Sequence, residues 1–503
     1  MKRILGLVMA MAILTAPLGA FAAGSGPFDP GVCGCERFRI PALYTLADGS
    51  LLASADLRWD HGSDSPQNID TAVARLTGDG WEPAIVNRFD DYADGVGSKQ
   101  SASFIDSALL QAADGTVFLL TEAYSSGVGI LNTAQGTGCV TIDGQPRIAL
   151  AANGTQDYTF YIGDFADGFA PICRSGAATA YSVDEAYRIY QNGRLLTMAQ
   201  RGADDAPTGA EIAQTVFYAD AAFCVAAKPF LWLRSSKDGG RSWSAPQILN
   251  GMVMREEDYF LGVCPGRGCA VRVNGAERLI FTVYHSRAGG NEFAMTIYSE
   301  DGGVTWQRGE AVRHAPMLGK TSESQIVPLP DGTLRMFSRN KSNYVAFCDS
   351  ADGGVTWSKA QPDPGLCGTQ NCMVSFLNAG CEINGMPVIL GSMGGSVSAR
   401  ADGVVRVGLL GEGNRIDWIS TYHVNDGFFA YSCLTRLPDG GFGLLYEDAP
   451  AQISYMELDL RSDGTLTARE GKDLHFTKQP TLWERLRIFF MDLWLRLRAP
   501  FVK

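Results

Sequence analysis

Short runs of apolar residues dominate the chain before position 481. Examples are GTVFLL at 115–120, RLIFTVY at 278–284 and GGFGLLY at 440–446, and Asp-Gly, Asn-Gly or Pro-Asp-Gly sequences bound such runs. Runs of this length between turn signals are typical of β-strands, because Gly and Asn tolerate the backbone conformations of tight turns. No long helical period precedes Thr481, so the pattern predicts an all-β protein.

One eight-residue pattern, Ser-x-Asp-x-Gly-x-x-Trp, occurs three times between such runs. The copies start at Ser236, Ser299 and Ser350, which are 63 and 51 residues apart. In each copy the Asp and Gly-Gly predict a tight turn, and the Trp predicts an apolar anchor that pins the turn to its sheet. Such spacings fit four-stranded blades of a β-propeller better than helical repeats.

The N-terminal segment and a central segment break this rhythm. Residues 1–22 have the pattern of a signal peptide, with Lys2 and Arg3 before an apolar stretch and AFA at 20–22 as the cleavage site. The mature protein is therefore expected to be exported. Segments 23–134 and 229–475 are expected to form the propeller. Segment 135–228 lacks the boxed turn and is interpreted as an inserted, mostly β subdomain, with a divergent blade as the alternative.

The C-terminal segment, 476–503, has a helical period instead. Its apolar positions are Leu482, Trp483, Leu486, Phe489, Phe490, Leu493, Trp494 and Leu497, and arginines punctuate the other side. This pattern predicts an amphipathic helix. Two interpretations stay open: the helix lies at a membrane surface, or it docks on the propeller and covers an apolar patch.

Composition and charge narrow the function. The 503 residues are 46% hydrophobic, which indicates a globular chain, and the net charge of −12 argues against a nucleic-acid partner. All twelve cysteines follow the signal peptide, and an even number in an exported protein suggests disulfides, with Cys264/Cys269 and Cys367/Cys372 as local pairs. Neither spacing fits a zinc finger and His is scarce, so we expect neither a metal nor a cofactor.

Several polar motifs carry the candidate chemistry. In chain order they are FRIPA at 38–42, ADLR at 55–58, GSDS at 62–65, TSESQIV at 321–327, FSRN at 337–340, SAR at 398–400, FAYSCLT at 429–435 and LYE at 445–447. This ordered set resembles the bacterial exo-α-sialidases (neuraminidases). In that family the first motif carries one arginine of a carboxylate-binding triad, and the boxed turns are the family's Asp boxes.

The resemblance implies a six-bladed sialidase-like propeller with an arginine triad. Sialic acid carries a carboxylate on its anomeric carbon. Three fork-shaped guanidiniums, which always carry charge, can hold this planar anion in one orientation. The implied triad is Arg39, Arg339 and Arg400, and the implied role of Glu447 is to fix the orientation of Arg39.

The resemblance also implies a tyrosine nucleophile, Tyr431. A carboxylate nucleophile would be repelled by the carboxylate of the substrate, whereas a neutral phenol is not. Because its usual pKa is about 10, Tyr431 needs a base, which is Glu323 by resemblance, and the arginines are expected to favour the phenolate. Asp64 would protonate the leaving oxygen and then deprotonate water, with net retention. Arg58 and Asp106, from the FIDS motif at 104–107, match positions near a ring hydroxyl.

Three functions stay open from the sequence: a hydrolytic exo-sialidase, a trans-sialidase that acts between or within molecules, and a non-catalytic sialic-acid-binding lectin. The set of Asp64, Glu323 and Tyr431 favours an enzyme, because a lectin needs the arginines but not a nucleophile and its base. The expected partners are sialylated glycoproteins, glycolipids and oligosaccharides, with membrane-surface contact through the C-terminal helix as a further expectation.

Overall fold

The computed structural model describes residues 26–469, apart from 79, 90–91, 94–99, 203–204, 288–289 and 369–370. The expected signal peptide and the expected C-terminal helix lie outside these residues. The described chain is almost entirely β, with a short α-helix, α1 (Asn250–Val253), and short 3-10 turns at Val32–Gly34, Ile130–Asn132, Pro316–Leu318 and Glu412–Asn414. None of its helices is long and apolar enough to cross a bilayer.

Six strands open the fold. They are β1 (Phe38–Thr45), β2 (Leu51–Arg58), β3 (Ile69–Thr77), β4 (Gly80–Asn87), β5 (Ser103–Gln111) and β6 (Val117–Tyr124). β1 to β4 form one antiparallel set, and β3 meets β5 through a single parallel pair, Ile69 with Ser103. Every residue of β2 is buried, because strands flank it on both sides and neighbouring sheets cover both faces.

The residues between β6 and the next long strand form sheets of their own. Their strands are β7 (Cys139–Ile142), β8 (Gln145–Ala152), β9 (Phe160–Ile162), β10 (Phe169–Arg174), β11 (Ala177–Asp184), β12 (Ile189–Gln191), β13 (Arg194–Leu195), β14 (Thr197–Arg201), β15 (Pro207–Ala213) and β16 (Phe223–Cys224). β14 and β15 pair only with each other, and the other eight strands form one sheet. The ring of Phe217 lies 5.5 Å from that of Trp232, so aromatic packing joins this region to the following strand.

The remaining strands complete a propeller-like arrangement of sheets. β17 (Pro229–Ser236) and β18 (Gln247–Ile248) extend the sheet of β5 and β6, and β20 (Gly266–Arg267) pairs in parallel with β5. A five-stranded sheet contains β19 (Phe260–Val263), β21 (Cys269–Val273), β22 (Ala276–Ser286), β23 (Glu292–Ser299) and β24 (Gln307–Arg308).

Three four-stranded antiparallel sheets follow in chain order. The first contains β25 (Ser324–Pro328), β26 (Leu334–Ser338), β27 (Tyr344–Ser350) and β28 (Gln361–Cys367). The second contains β29 (Ser375–Ile383), β30 (Met386–Gly394), β31 (Ala401–Leu410) and β32 (Ile416–Phe428). The last contains β33 (Ser432–Arg436), β34 (Phe442–Ala449), β35 (Gln452–Leu460) and β36 (Leu466–Ala468). Together with the five-stranded sheet, these confirm the expected all-β, propeller-like class.

The first and last sheets close the ring. The Phe38 N–H donates to the Ala451 carbonyl (3.0 Å), and the Thr45 N–H donates to the Thr435 hydroxyl (3.2 Å). Leu43 of β1 and Cys433 of β33 share one apolar cluster. Because β1 lies against β33, residues from opposite ends of the described chain become neighbours.

Each boxed turn connects the third and fourth strands of its set. In the third copy, Asp352 Oδ1 accepts from the N–H groups of Val355 and Thr356, both at 3.0 Å, and the Ser350 hydroxyl donates to it at 2.7 Å. The Trp357 indole N–H donates to the Gly354 carbonyl at 3.2 Å, and the ring is buried. The other two copies have the same Asp and Ser contacts, so the boxes are turns that staple strands together.

All twelve cysteines are free thiols, and the expected local disulfides are therefore wrong. The Cys264 thiol is buried and donates to the Ser322 carbonyl at 3.8 Å, whereas Cys269 lies beyond β20 and pairs with Ile280 in the next sheet. The short strand β20 separates the two sulfur atoms, although five positions in sequence suggested a bridge. Cys367 is exposed while Cys372 is buried, so this pair also lies in different surroundings.

We expect Asp352→Ala to lower the free energy of unfolding by about 1–2 kcal/mol, because backbone and side-chain donors of the turn lose their acceptor. Urea denaturation measures this change. The exposed, ion-paired Asp417 is the matched control, and Asp417→Ala should change stability by less than about 0.5 kcal/mol. An Asp352→Ala protein that kept its stability and lost turnover would contradict a purely structural role for the box.

Candidate active site

The predicted site residues meet at one end of the inner strands. Arg39 lies near the start of β1, and Glu323, Arg400 and Tyr431 immediately precede β25, β31 and β33, whereas Arg339 immediately follows β26. In antiparallel sets the first and third strands begin at the edge where the second strand ends. Residues more than 300 positions apart in sequence are therefore brought to the same edge.

A cleft of about 150 Å³ opens at this edge. Five of the predicted residues line it: Asp64, Asp106, Glu323, Arg339 and Tyr431. Arg39 and Arg400 lie next to the cleft and pack against the ring of Tyr431. Their guanidinium carbons are 5.4 Å and 5.6 Å from the centre of that ring. The three arginines of the expected triad therefore surround one phenol.

The backbone of β1 and β5 is irregular beside the cleft. Ile40 and Asp106 have φ of 59°, in the left-handed region, and both lie at breaks in strand register. This conformation is unfavourable for a β-branched residue such as Ile40 and persists only where neighbours impose it. Buried carboxylates provide the restraint: the Ile40 N–H donates to Glu447 (3.0 Å), and the Asp106 N–H donates to Asp56 (3.1 Å).

Glu447 holds the orientation of Arg39. Arg39 Nε donates to Glu447 Oε1 at 3.0 Å, and Nη2 donates to Oε2 at 3.4 Å, in a bidentate pair. The Glu447 side chain is completely buried, and that of Arg39 is 12% exposed. Burial alone would lower the pKa of Arg39, but Glu447 and Asp64 raise it above its ordinary value, so this guanidinium stays charged.

Tyr431, Glu323 and Arg339 form a continuous hydrogen-bonded chain. The Tyr431 hydroxyl donates to Glu323 Oε1 at 2.6 Å, and Arg339 Nη1 donates to Glu323 Oε2 at 2.6 Å and to the Tyr431 oxygen at 3.0 Å. The short O–H···O contact, with the Arg339 guanidinium beside its acceptor, is typical of a strong hydrogen bond. Glu323 is thus within direct reach of the phenol proton.

As expected, Arg339 and Arg400 lower the pKa of Tyr431, but other effects are larger and the phenol still has a raised pKa. Burial raises the pKa of Tyr431 well above its ordinary value, and the Glu323 carboxylate raises it further, while Arg339 and Arg400 lower it by less. Tyr431 is therefore a neutral phenol in the resting site. Its activation requires transfer of the proton to Glu323 rather than a standing phenolate.

Asp64 lies at the rim and is paired with two guanidiniums. Arg58 Nη1 donates to Asp64 Oδ1 at 2.7 Å and Arg39 Nη1 donates to the same oxygen at 3.3 Å, while 66% of the Asp64 side chain stays exposed. The protein atoms around the cleft rim partly desolvate Asp64 and would raise its pKa, but Arg58 and Arg39 outweigh this effect and hold the pKa below its ordinary value. Asp64 is therefore ionised at rest.

Arg58 itself is completely buried, although the sequence placed it near a sugar hydroxyl. Its Nη2 donates to Asp56 at 2.8 Å and its Nη1 to the Gly62 carbonyl at 2.9 Å. With Asp64 as the third partner, Arg58 ties the loop that carries Asp64 to β2. Its observed contacts are those of a positioning group.

Three carboxyls lie in or directly behind the cleft wall: Glu122 and Asp106 line the cleft, and Asp56 is completely buried. Burial raises the pKa of Glu122 to about 8, and burial, only partly offset by Arg58, raises that of Asp56 to about 7. Burial together with Glu122 and Asp56 raises the pKa of Asp106 well above its ordinary value. Glu122 accepts from the Tyr124 hydroxyl (2.9 Å) and the Val263 N–H (2.6 Å), so it connects neighbouring sheets at the cleft.

Sequence reasoning missed several groups of the site. Asn371 Oδ1 accepts from Arg339 Nη2 at 3.2 Å, and the Asn371 carbonyl accepts from Arg400 Nη2 at 3.2 Å, so one loop residue orients two arginines. Lys320 and Glu292 form a 2.6 Å ion pair in the cleft wall. Asn371 and Lys320 belong to none of the motifs in the sequence, so a single sequence gave no indication that they lie in the site.

No group of three or more His, Cys, Asp or Glu in the described part of the chain is arranged to hold a metal ion. Of the carboxyls in the cleft, Asp64 and Glu323 are paired with arginines, Glu292 is paired with Lys320, and Glu122 accepts from a hydroxyl and a backbone N–H. The site as built is therefore a cationic cradle around a neutral phenol, with an acidic group at its rim.

Comparison with known proteins identifies relatives of this arrangement. Residues 216–374 match a family model described as a BNR repeat-like domain. The anhydrosialidase of Macrobdella decora is 31% identical over 479 residues, which cover 88% of this chain and 61% of that protein. Sialidase B of Streptococcus pneumoniae serotype 4 is 31% identical over 438 residues, which cover 82% and 61%. The chain thus spans 61% of the length of each of these two relatives.

A solved structure agrees with the sequence relatives. The crystal structure of the intramolecular trans-sialidase from Ruminococcus gnavus, in complex with oseltamivir carboxylate, superimposes with a TM-score of 0.78 and 30% identity. The match covers 90% of this chain and 98% of that one.

The buried carboxyls predict a specific pH dependence of stability. The pKa of Glu122 in the folded protein, about 8, lies above the value of about 4.3 expected when it is unfolded. Between these values the folded state holds a proton that the unfolded state releases, so stability falls as pH rises.

Glu122→Gln tests this proton, because the amide cannot ionise. In urea denaturation we expect its free energy of unfolding to fall less steeply from pH 5 to pH 8 than that of the wild type, with a residual slope from Asp56 and Asp106. Glu310→Gln, at an exposed position, should keep the wild-type slope. An unchanged slope in Glu122→Gln would refute the buried proton.

Proposed function

This chain belongs to the sialidase family, and we propose that it is a retaining exo-α-sialidase that releases terminal sialic acid from glycans. The observation that carries the proposal is the 2.6 Å hydrogen bond from the Tyr431 hydroxyl to Glu323, surrounded by the guanidiniums of Arg39, Arg339 and Arg400. A phenol, its base and three cations around it fit an anionic sugar with a carboxylate beside the reacting carbon.

Binding places the sugar carboxylate among the three arginines. Arg39 is held in orientation by Glu447, and Asn371 holds Arg339 and Arg400, so little rotamer freedom is lost when the anion arrives. The incoming carboxylate competes with Asp64 for Arg39. Loss of that ion pair raises the pKa of Asp64, which moves this group toward the protonated form that a general acid needs.

The first chemical step forms a bond between Tyr431 Oη and the anomeric carbon. Glu323 takes the phenol proton, and Arg339 stabilises both oxygens as charge moves from the carboxylate to the phenolate and then into the new bond. The bond from the anomeric carbon to the leaving oxygen breaks, and that oxygen receives a proton from Asp64. The product is a covalent sialyl-tyrosine and a free aglycone.

The second step reverses the roles. Water approaches from the side that the aglycone has left, Asp64 accepts one of its protons, and the oxygen bonds to the anomeric carbon as Tyr431 leaves. Tyr431 recovers its proton from Glu323. Two displacements at the same carbon give net retention of configuration.

A lectin is the weaker proposal, since binding alone uses neither the short Tyr431–Glu323 hydrogen bond nor an acid at the rim.

A second candidate is intramolecular transfer, in which a hydroxyl of the bound sugar attacks the anomeric carbon in place of water and an anhydro-sugar is released. Relatives named anhydrosialidase and intramolecular trans-sialidase, at 31% and 30% identity, favour this alternative. Both reactions use the same covalent intermediate. The proposed substrates are sialylated glycoproteins, glycolipids and oligosaccharides.

We also propose a finer architecture from the family resemblance, and a location from the sequence patterns of the two ends of the chain. Counting β1–β4 and β5, β6, β17 and β18 as separate blades gives the proposed six-bladed propeller. We also propose that the protein is exported to the periplasm, the cell surface or the medium, and that its C-terminal segment contacts either a membrane surface or the propeller.

Tyr431→Phe tests the nucleophile. We expect kcat on a fluorogenic sialoside to fall by at least about 10³-fold, because no atom remains to form the covalent intermediate, while KM changes little. Tyr298→Phe is the matched control and should keep the wild-type kcat. Tyr298 is also buried and donates a hydrogen bond, to Gln307, but it lies outside the cleft. Wild-type turnover by Tyr431→Phe would refute the mechanism.

Proton NMR of the products from a defined sialyl-lactose separates the two candidate reactions. Hydrolysis should give the α-anomer of sialic acid first, followed by mutarotation, because two displacements retain configuration. Release of an anhydro-sugar without free sialic acid would instead support intramolecular transfer. First appearance of the β-anomer would contradict a covalent sialyl-tyrosine in either reaction.

A further inference from the structure

A second cavity, of about 610 Å³, lies at the opposite end of the inner strands from the cleft. Thr45, Pro328 and Arg436 line it and are the last residues of β1, β25 and β33. Arg436 lies five residues beyond Tyr431, which places it roughly 17 Å from the cleft along extended chain, at about 3.3 Å per residue. The cavity is therefore a separate feature and not an extension of the active site.

The charged residues that line this cavity are all cationic, although the chain as a whole is acidic. Arg267 and Arg436 line it, no Asp or Glu does, and yet the whole chain carries a net charge of −12. Neither guanidinium forms an ion pair with any residue that the structure describes, whereas Arg335 and Arg278 are paired with carboxylates. Two unpaired cations that face one cavity create a local positive potential that attracts an anion.

The two arginines are held in place without a counter-charge. Arg267 Nη2 donates to the Phe376 carbonyl at 3.0 Å, while its Nε is buried and has no hydrogen-bond partner in the described structure. Arg436 lies against Gly380, where an added Cβ would stand 2.1 Å from Nη1. Gly380 thus leaves room for the guanidinium to lie flat over the strand.

We propose that this far-end cavity binds a compact oxyanion, a carboxylate or a phosphate, between Arg267 and Arg436. Both guanidiniums carry fork-shaped donors that match such an anion bidentately. Ile326, Leu377 and Leu437 provide apolar surface in the same cavity, which can accept the carbon body of an organic anion. The occupant connects β20 with the end of β33, and it therefore stabilises the folded protein in proportion to its occupancy.

Titration calorimetry with inorganic phosphate and with benzoate, at matched ionic strength, tests the proposal. The expected triad in the cleft also attracts anions, so the titrations are made in the Arg400→Gln background, which removes one arm of that triad. In this background we expect a remaining binding event, and adding Arg436→Gln should weaken it by about tenfold or more. Arg436 is exposed, so this substitution should leave folding intact, and sialidase activity measured on Arg436→Gln alone should be unchanged.

A second variant and a control make the result specific. Arg267→Gln should weaken the same event, while Arg415→Gln, an exposed arginine paired with Asp417, should not. The stronger of the two probes identifies whether the site prefers a phosphate or a carboxylate with an apolar body. Binding that is indifferent to Arg436→Gln, or no binding of either probe at about 10 mM, would overturn the proposal.

Discussion

One buried carboxylate, that of Glu447, supports the site at its most strained point. It accepts hydrogen bonds from two nitrogens of Arg39 and from the N–H of Ile40, whose left-handed backbone breaks the register of β1. Glu447 is completely buried, so this carboxylate cannot exchange its donors for water. Without it, a guanidinium, a strained backbone N–H and the closure of the ring would all lose their common partner.

Ring closure is the reason that this partner exists. β1 is the first strand of the propeller and β34 belongs to its last sheet, so 408 residues separate Arg39 from Glu447. The Phe38–Ala451 and Thr45–Thr435 contacts fix the two sheets against each other at both ends of β1. The binding geometry of the first arginine is therefore a consequence of complete folding, and it cannot form in an open chain.

The cleft balances its charges so that the nucleophile stays neutral. Arg39 faces Glu447 and Asp64, Arg339 faces Glu323, and Arg58 faces Asp56 and Asp64. Glu122 and Asp106, which have no arginine or lysine partner, are instead held toward their neutral forms by burial. Burial likewise keeps Tyr431 protonated, and the base at 2.6 Å provides the route by which it loses its proton.

The sequence by itself determined what depends on neighbours in the chain. The three boxes predicted tight turns anchored by Trp, because Asp, Ser and Gly in that order satisfy one another within eight residues. The propeller-like class followed from the strand pattern and the repeats. Which arginine, Glu and Tyr groups would converge was implied only by the resemblance of their motifs to the sialidases.

Only the tertiary structure decided what depends on burial and on contacts across sheets. It paired Asp64 with Arg58, brought Asn371 between two arginines, kept the cysteines apart and raised the pKa of Tyr431 in spite of its cationic neighbours. These properties follow from dielectric surroundings and distances between residues far apart in the chain. No spacing in the sequence encodes them, because they exist only after the sheets have packed around a common axis.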